Sequence, residues 1–311
     1  MAQDKRIIFL GTPEISAVVL EGLVKAGFNI VGVVTKEDKI RGRNNQVEPS
    51  PVALKATELG IPVHKPHKLN LDYQFLVDKK PDLLLTFAYG QLISDAILAL
   101  PTFRPLNLHA SLLPKYRGAA PIQYALRNGD KETGVSLMQM VHDMDAGDVF
   151  AVKKLPILES DNYSRLADKL ALTALDLAKE SLPLFFANRL EGIPQNEAKA
   201  TFCPSIKKEE EKLLLDQPVD SFINQVRSLS YVPGGYLLNG EEIIKIYSAR
   251  KVSDATTLPV GSLFLISKKQ LGLQLAIGQV EILELQRPGK KRMMACDFLN
   301  GVKDVSTMVL H

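Results

Sequence analysis

The chain has no tryptophan, and only two of its 311 residues are cysteines, Cys203 and Cys296. These cysteines lie far apart and have no histidine or further cysteine close by in the sequence. Their spacing argues against a disulfide framework and against a structural zinc site. Cysteines without such partners are typical of proteins in a reducing compartment. We therefore expect a cytoplasmic protein that needs no metal.

A long apolar run is missing as well. Even the segment from Leu83 to Ala88 is far shorter than the ~20 residues of a membrane-spanning helix, and Asp82 and Gln91 flank it. The N-terminal residues lead directly into a short apolar strand, without the extended apolar stretch of a signal peptide. The sequence therefore predicts a protein that does not associate with a membrane.

An excess of one charge is also missing, because 38 Lys and Arg residues face 35 Asp and Glu residues and the net charge is +3. A total this small does not by itself indicate a nucleic-acid-binding protein, so local basic groups must support any such interpretation. Hydrophobic residues make up 46% of the chain and charged residues 23%, as in ordinary globular proteins. The length favours two domains over one.

The first half of the chain alternates between strand-like and helix-like segments. This alternation predicts an α/β fold with a Rossmann-like, doubly wound, mostly parallel sheet, whose functional groups gather at the carboxyl ends of the strands. Only Gly11 stands where a dinucleotide-binding fingerprint needs three glycines, so we exclude NAD as a cofactor. The predicted strands are Arg6–Leu10, Ile30–Thr35, Asp82–Ala88, Leu106–His109, Gly134–Val141 and Val149–Leu158, and a long helix is predicted over Tyr163–Leu190.

The pattern changes after residue 190. Residues 191–206 contain glycine, prolines and polar residues without a clear period, and they are predicted to be a linker. A helix is predicted over Val219–Leu229, and Asn239-Gly240 between two apolar runs predicts a hairpin with a type I′ turn. Several further short strands indicate a small, closed, OB-like β-barrel. We therefore expect one domain over 1–190 and a second over 207–311.

The most informative segment is the predicted strand Leu106–His109 and the loop that follows it. Asn107 and His109 are two positions apart, so both side chains project from one face of an extended segment. A second polar loop begins after the next predicted strand and offers three carboxylates, Asp143, Asp145 and Asp148. We expect an amide, an imidazole and one of these carboxylates to share a pocket. His109 alone could equally be a structural histidine that ends a strand.

Six segments together resemble the methionyl-tRNA formyltransferases, a family of folate-dependent enzymes. They fall in the family's order along nearly the whole chain, and the central motif Asn-x-His-x-Ser-Leu-Leu-Pro is shared by all folate-dependent formyltransferases of this fold. The motif therefore identifies the reaction better than the acceptor. The segments are Gly11–Pro13, Pro49–Val52, Ala88–Gly90, Asn107–Pro121, Gly129–Val135 and Met144–Asp148.

The resemblance implies transfer of a formyl group from 10-formyltetrahydrofolate to the amino group of methionine on initiator tRNA, by a monomer without a metal. By position in the motifs, it implies catalytic roles for Asn107, His109 and Asp145, so that Asp145 is favoured over its two neighbours. It also implies a folate contact at Ser111, Leu112, Leu113 and Pro114. The long polar segment after Thr35 is similar to the family's acceptor-stem loop, with Arg41 and Arg43 as candidate tRNA-binding residues.

The three candidate catalytic groups suit this chemistry. Attack of an amine on a formyl carbon passes through a tetrahedral oxyanion, which hydrogen-bond donors stabilise. Asn107 offers an N–H donor, and a protonated His109 offers another. A carboxylate favours the charged form of a neighbouring imidazole and can accept a proton from the attacking nitrogen, which is the role expected of Asp145. Donor and proton-transfer effects of this kind contribute ~10²–10⁴-fold each.

The sequence departs from the family pattern at two places. Asn44–Glu48 is neutral to acidic where the family often has lysines, and Tyr231–Tyr236 replaces a run that usually contains tryptophan.

The main alternative function is folate-dependent formylation of a sugar-nucleotide or a small ribonucleotide amine. A third possibility is an RNA-binding protein whose first domain has lost activity, against which the three intact candidate catalytic residues argue.

Overall fold

The computed structural model describes residues 4–41 and 46–311. Contacts within the chain divide it into two compact units. The first unit extends to Pro121 and includes Glu132–Pro156 and Ala167–Cys203. The second contains Ile122–Lys131, Ile157–Leu166 and Pro204–His311. Most residues of the predicted linker, up to Cys203, thus belong to the first unit.

The first unit is built on a seven-stranded sheet with the strand order β10-β9-β7-β6-β1-β2-β5. The strands up to residue 203 are β1 Ile7–Gly11, β2 Ile30–Val34, β3 Lys39–Arg41, β4 Gln46–Glu48, β5 Val63–His64, β6 Leu83–Phe87, β7 Leu106–His109, β8 Arg117–Gly118, β9 Glu132–Gln139, β10 Val149–Pro156 and β11 Phe202–Cys203. The α-helices over the same residues are α1 Glu14–Lys25, α2 Pro51–Glu58, α3 Gln74–Lys79, α4 Asp95–Leu98, α5 Pro121–Arg127 and α6 Tyr163–Phe186.

The sheet pairing confirms the predicted α/β fold. The five strands β5, β2, β1, β6 and β7, given in their order in the sheet, pair in parallel. The strand β9 pairs antiparallel with β7 on one side and with β10 on the other. Every residue of the two central strands β1 and β6 is buried, as expected for a parallel sheet covered on both faces. The sheet therefore presents the carboxyl ends of β1, β6 and β7 along one edge.

The structure corrects the predicted end of the long helix and the predicted polar loop after Thr35. The helix α6 ends at Phe186, four residues before the predicted end at Leu190. Asn188 adopts a left-handed conformation with φ 53°, and the N–H of Arg189 donates to Leu184 O, which closes the helix in a Schellman arrangement. The segment predicted as a polar loop after Thr35 contains the short antiparallel pair β3–β4.

The second unit contains an antiparallel sheet in the order β12-β13-β16-β15-β14, and β17 pairs with β16. Its elements are α7 Val219–Leu229, β12 Gly235–Asn239, β13 Glu242–Ser253, β14 Leu263–Ser267, β15 Gln270–Gln274, β16 Gln279–Gln286, β17 Met293–Met294 and α8 Ala295–Asn300. The helix α7 has the predicted limits.

The last residues of the chain close this sheet into a barrel. The backbones of Leu238, at the end of β12, and His311 exchange two hydrogen bonds of 2.9 Å. The N–H of Leu310 donates to the carbonyl of Gly261, just before β14, at 2.8 Å. The two edge strands are thereby joined through the C-terminal segment, which removes the open edges of the sheet. The prediction of a small barrel is confirmed.

The predicted hairpin is present, but the type and position of its turn differ from the type I′ turn predicted at Asn239-Gly240. Asn239 pairs with Glu242 in the hairpin of β12 and β13, so the two loop residues are Gly240 and Glu241. Gly240 has φ 61° and stands at the first loop position, as in a type II′ turn. Glycine is required there, but the hairpin is centred one residue later than the Asn-Gly pattern predicts.

Candidate active site

The strand β7 places Asn107 and His109 on the same face, as their spacing predicts. Thr86 is paired with Asn107 across the parallel strands β6 and β7, and its hydroxyl donates to Asn107 Oδ1 at 2.6 Å. With its oxygen occupied in this way, the Asn107 amide directs its NH₂ group toward Asp145 Oδ1, 3.4 Å away. Sequence reasoning missed Thr86, although it is the only polar residue in the apolar strand β6.

The His109 ring lies between two hydrogen-bond acceptors. Its Nε2 is 2.8 Å from the carbonyl oxygen of Tyr116, and its Nδ1 is 3.5 Å from Asp145 Oδ2. A carbonyl oxygen only accepts, so Nε2 donates there. An ionised Asp145 also only accepts, so a hydrogen bond between the two side chains requires a proton on Nδ1. The ring is 6% exposed, which keeps this contact largely out of water.

Asp145 lies in the loop after β9 and reaches both candidate catalytic residues of β7. Its Oδ2 also accepts from the backbone N–H of Gly118 at 2.8 Å. Asp143 is exposed, and Asp148 lies 3.8 Å from Arg104. Of the three carboxylates left open by the sequence, Asp145 is the one brought to Asn107 and His109.

The segment predicted to contact folate follows β7 directly. Ser111 is fully buried, and its hydroxyl donates to Lys115 O at 2.6 Å. Ser136 holds the same turn, because its hydroxyl donates to Ser111 O and accepts from the N–H of Leu113. Leu112, Leu113 and Pro114 are partly exposed. The turn thus offers apolar surface beside the candidate catalytic residues, while the Ser111 side chain is committed to the turn itself.

Residues 193–203, which we call the strap, return to this site from far along the chain. Gln195 Nε2 donates to Asp145 O and to Gly147 O, each at 2.8 Å. The strap ends in β11, which pairs in parallel with β8. The sequence-based prediction placed this whole segment in a linker, residues 191–206, and missed Gln195. A single glutamine in a polar segment gives no local sign of such a contact.

Arg117, beside the strap, and Cys203, the last residue of the strap, have shifted pKa values. The guanidinium of Arg117 is 4% exposed, and its hydrogen bonds to Glu197 raise its pKa. Burial of the Cys203 thiol raises its pKa to about 11. Its sulfur lies 3.1 Å from Tyr116 O, the carbonyl that also contacts His109. Cys203 is therefore a neutral packing residue at neutral pH.

An open pocket of about 860 Å³ lies against the Asp145 loop. Arg104, Gln139, Val141, Met144 and Phe202 are among the residues that line it, whereas Asn107 and His109 do not. The pocket therefore lies against the loop that carries Asp145 but is not lined by any of the three candidate catalytic residues. Within residues 4–41 and 46–311, no cluster of three His, Cys, Asp or Glu residues is arranged to hold a metal ion.

Of the two candidate tRNA-binding arginines, the structure describes only the backbone of Arg41. Arg41 is the last residue of β3, and Arg43 lies outside the described residues. Arg41 pairs with Gln46 across β3 and β4. In the part of the chain that is described, no helix combines the length and apolar character needed to cross a membrane.

Comparison with known proteins identifies the class to which this fold and site belong. Residues 5–180 match the family model "Formyl transferase", and residues 205–303 match "Formyl transferase, C-terminal domain". The chain belongs to the formyl transferase family. Among similar proteins, the methionyl-tRNA formyltransferase of Lactobacillus johnsonii is 43% identical over 298 residues, which is 95% of each chain. That of Dictyoglomus thermophilum is 40% identical over 304 residues, 96% of this chain and 97% of its own. Within the family, the chain therefore groups with the methionyl-tRNA formyltransferases, as its motifs predict.

Solved structures with the same fold include more distant proteins. HypX from Aquifex aeolicus, in complex with tetrahydrofolic acid, is 17% identical with a TM-score of 0.65, covering 95% of this chain and 47% of its own. The N-formyltransferase from Helicobacter canadensis, in complex with folinic acid and dTDP-3-aminofucose, is 18% identical with a TM-score of 0.66, covering 91% and 99%. At these identities, the likeness shows the shared fold.

Proposed function

We propose that this chain transfers the formyl group of 10-formyltetrahydrofolate to the free amino group of methionine on initiator methionyl-tRNA. The product is N-formylmethionyl-tRNA for translation initiation. The observation that carries the proposal is the convergence of Asn107, His109 and Asp145 within 3.5 Å contacts at the end of β7. The curated relatives, similar over 95% of the chain, support the tRNA acceptor.

Asn107, His109 and Asp145 each have a separate role in the proposed reaction. Asn107 donates an N–H, and the protonated His109 adds positive charge, where negative charge develops on the formyl oxygen. Asp145 faces the His109 ring and accepts a proton from the attacking nitrogen, directly or through water. Their present separations of 3.4 and 3.5 Å are long for hydrogen bonds, and such contacts often tighten only when substrate is bound.

The folate co-substrate supplies the formyl group when it is bound. We place it against Leu112, Leu113 and Pro114, which are partly exposed beside the catalytic groups, with Ser111 shaping the turn beneath. The relatives solved with tetrahydrofolic acid and folinic acid share this fold. The groups that act at the site are an amide, an imidazole and a carboxylate, so the proposed reaction does not call on a metal ligand set.

We also propose a division of labour along the chain. Residues 1–190 form the catalytic domain, 191–206 connect it onward, and 207–311 form an OB-like domain that binds tRNA. Arg41 and Arg43 are proposed to contact tRNA phosphates. We expect the protein to act as a monomer in the cytoplasm, without a membrane partner. The match of the two family models to 5–180 and 205–303 supports the proposed division.

The test is formyl transfer from 10-formyltetrahydrofolate to four acceptors in parallel. These are charged initiator tRNA, uncharged initiator tRNA, free methionine and an aminosugar nucleotide. We expect transfer only to the charged tRNA, and loss of transfer without loss of tRNA binding in His109→Ala. Transfer to the aminosugar instead would favour the second candidate function, to which the fold shared with the Helicobacter canadensis enzyme points. Absence of transfer to every acceptor would overturn both.

A further inference from the structure

The strap fastens the two loops that hold the candidate catalytic groups. Along the loop after β7, Thr201 Oγ1 accepts from the N–H of Tyr116 at 2.9 Å, and the carbonyl of Thr201 accepts from the N–H of Arg117 at 2.8 Å. Two residues further, the carbonyl of Cys203 accepts from the N–H of Ala119 at 2.9 Å. This loop supplies the Tyr116 carbonyl to His109 and the Gly118 N–H to Asp145.

The second loop is held by Gln195. Its side-chain NH₂ donates both protons to backbone carbonyls that flank one residue, those of Asp145 and Gly147. Its side-chain oxygen accepts from Nε and Nη2 of Arg117, at 3.1 and 3.0 Å. Since an amide has two donors and an acceptor oxygen with two lone pairs, every bond that the Gln195 side chain can make is used to join the two loops.

The Asp145 loop needs this support because its backbone is in an unfavourable conformation. Asp145 has φ 52°, which is uncommon for a residue with a Cβ and persists only where the surroundings hold it. The loop also passes so close to β9 that a Cβ at Gly147 would lie 2.2 Å from Gln139 O. If either carbonyl moved away, the Gln195 NH₂ group would lose one of its two hydrogen bonds. Gln195 therefore favours the observed backbone conformation of the loop.

We propose that Gln195 is a positioning residue for the transfer reaction, which holds the Asp145 carboxylate against His109 and Asn107 by fixing the Asp145 backbone. The inference rests on the proposed function, because it assigns a role to Asp145 in that reaction. Gln195 acts through Asp145 and contacts none of the other candidate catalytic side chains in its hydrogen bonds.

The decisive variant is Gln195→Glu. It keeps the size of the side chain and the acceptor for Arg117, but it replaces both N–H donors with an oxygen that faces two carbonyls. We expect kcat to fall about 10- to 100-fold, in line with the cost of a small misplacement of catalytic groups, with KM for folate and tRNA within about twofold of wild type. Hydrogen exchange at the Gly118 amide, which donates to Asp145, should accelerate, while that of Ala119 should stay slow.

The matched control is Glu197→Gln. Glu197 is the other partner of Arg117, and its side chain is 70% exposed and bonds to neither Asp145 nor Gly147. This variant should retain kcat within about twofold and the slow exchange at Gly118. If Gln195→Glu does not fold, Gln195→Met removes the same donors without adding charge and should give the same two effects.

A normal kcat in Gln195→Glu, or an equal loss in Glu197→Gln, would overturn the positioning role. A rise in KM with unchanged kcat would do so as well, because that would assign Gln195 to binding. The exchange experiment needs no substrate. If the wild-type protein formylates no acceptor, the proposed function fails, and Gly118 exchange still reports whether Gln195 holds Asp145.

Discussion

At the residue scale, the side-chain amide of Asn107 is oriented by a neighbour that contacts no other candidate catalytic group. The Thr86 hydroxyl donates to Asn107 Oδ1 at 2.6 Å. Without this donor, the amide could turn over and present its oxygen to the Asp145 carboxylate, where two acceptors would repel each other. Thr86 and Asp145 therefore both favour the orientation in which the amide NH₂ faces Asp145.

The substitution Thr86→Val tests this arrangement. Valine retains the shape of threonine and removes only the hydroxyl, so we expect kcat to fall about tenfold, equivalent to ~1.4 kcal/mol, with KM for tRNA nearly unchanged. Steady-state kinetics on charged initiator tRNA measures the effect. Thr57→Val is the matched control, because Thr57 donates to Ala53 O within α2. Unchanged kcat in Thr86→Val would show that Asn107 keeps its orientation unaided.

At the element scale, the helix α2 is fastened at its start by Ser50. The Ser50 hydroxyl oxygen accepts from the N–H of Ala53 at 3.1 Å, and Pro51 occupies the first turn. This arrangement satisfies one of the N–H groups that a helix leaves without a partner. The same hydroxyl lies 2.7 Å from that of Thr35, just beyond β2. The cap therefore ties the start of α2 to the end of β2.

Ser50→Ala should lower the free energy of unfolding by about 1 kcal/mol, because both hydrogen bonds of the cap are lost. Urea denaturation followed by circular dichroism measures this. Ser94→Ala is the control, since Ser94 occupies the N-cap position of α4 without a side-chain cap bond. We expect that variant to change stability by a few tenths of a kcal/mol. Equal losses in the two variants would show that the Ser50 bonds are not the cause.

At the scale of the whole molecule, net charge says little about the acceptor, and local basic residues must supply phosphate contacts. The proposed tRNA contacts at Arg41 and Arg43 lie in a chain whose net charge is only +3. Each phosphate contact releases counterions and makes binding weaken as salt rises. A protein with few such contacts should therefore show a modest salt dependence that single residues change measurably.

The double variant Arg41→Ala and Arg43→Ala should bind tRNA more weakly and reduce the slope of log K against log salt by about 2. Filter binding or fluorescence titration from low to high salt measures both effects. The control replaces Lys25 and Lys154 with alanine, two exposed lysines that pair with Glu21 and Glu132. An unchanged slope in the arginine variant would assign the tRNA contacts to other residues.

The sequence by itself determined the features that consecutive residues encode. The alternation of apolar strands and helices predicts the α/β sheet, and the two-residue spacing of Asn107 and His109 predicts that they share a face, because side chains alternate along a strand. The limits of α7, Val219–Leu229, follow from local periodicity in the same way. Motif positions also favour Asp145 over its two neighbours.

Only the tertiary structure decided which distant groups meet. Gln195 lies 50 residues from Asp145. The residues of β12 and the C-terminus that close the barrel are separated even further in sequence. Local patterns do not encode such contacts, because a polar side chain or a carbonyl in a loop finds its partner only after the chain has folded back. The conformation of the candidate site therefore depends on a returning segment whose own residues resemble an ordinary linker.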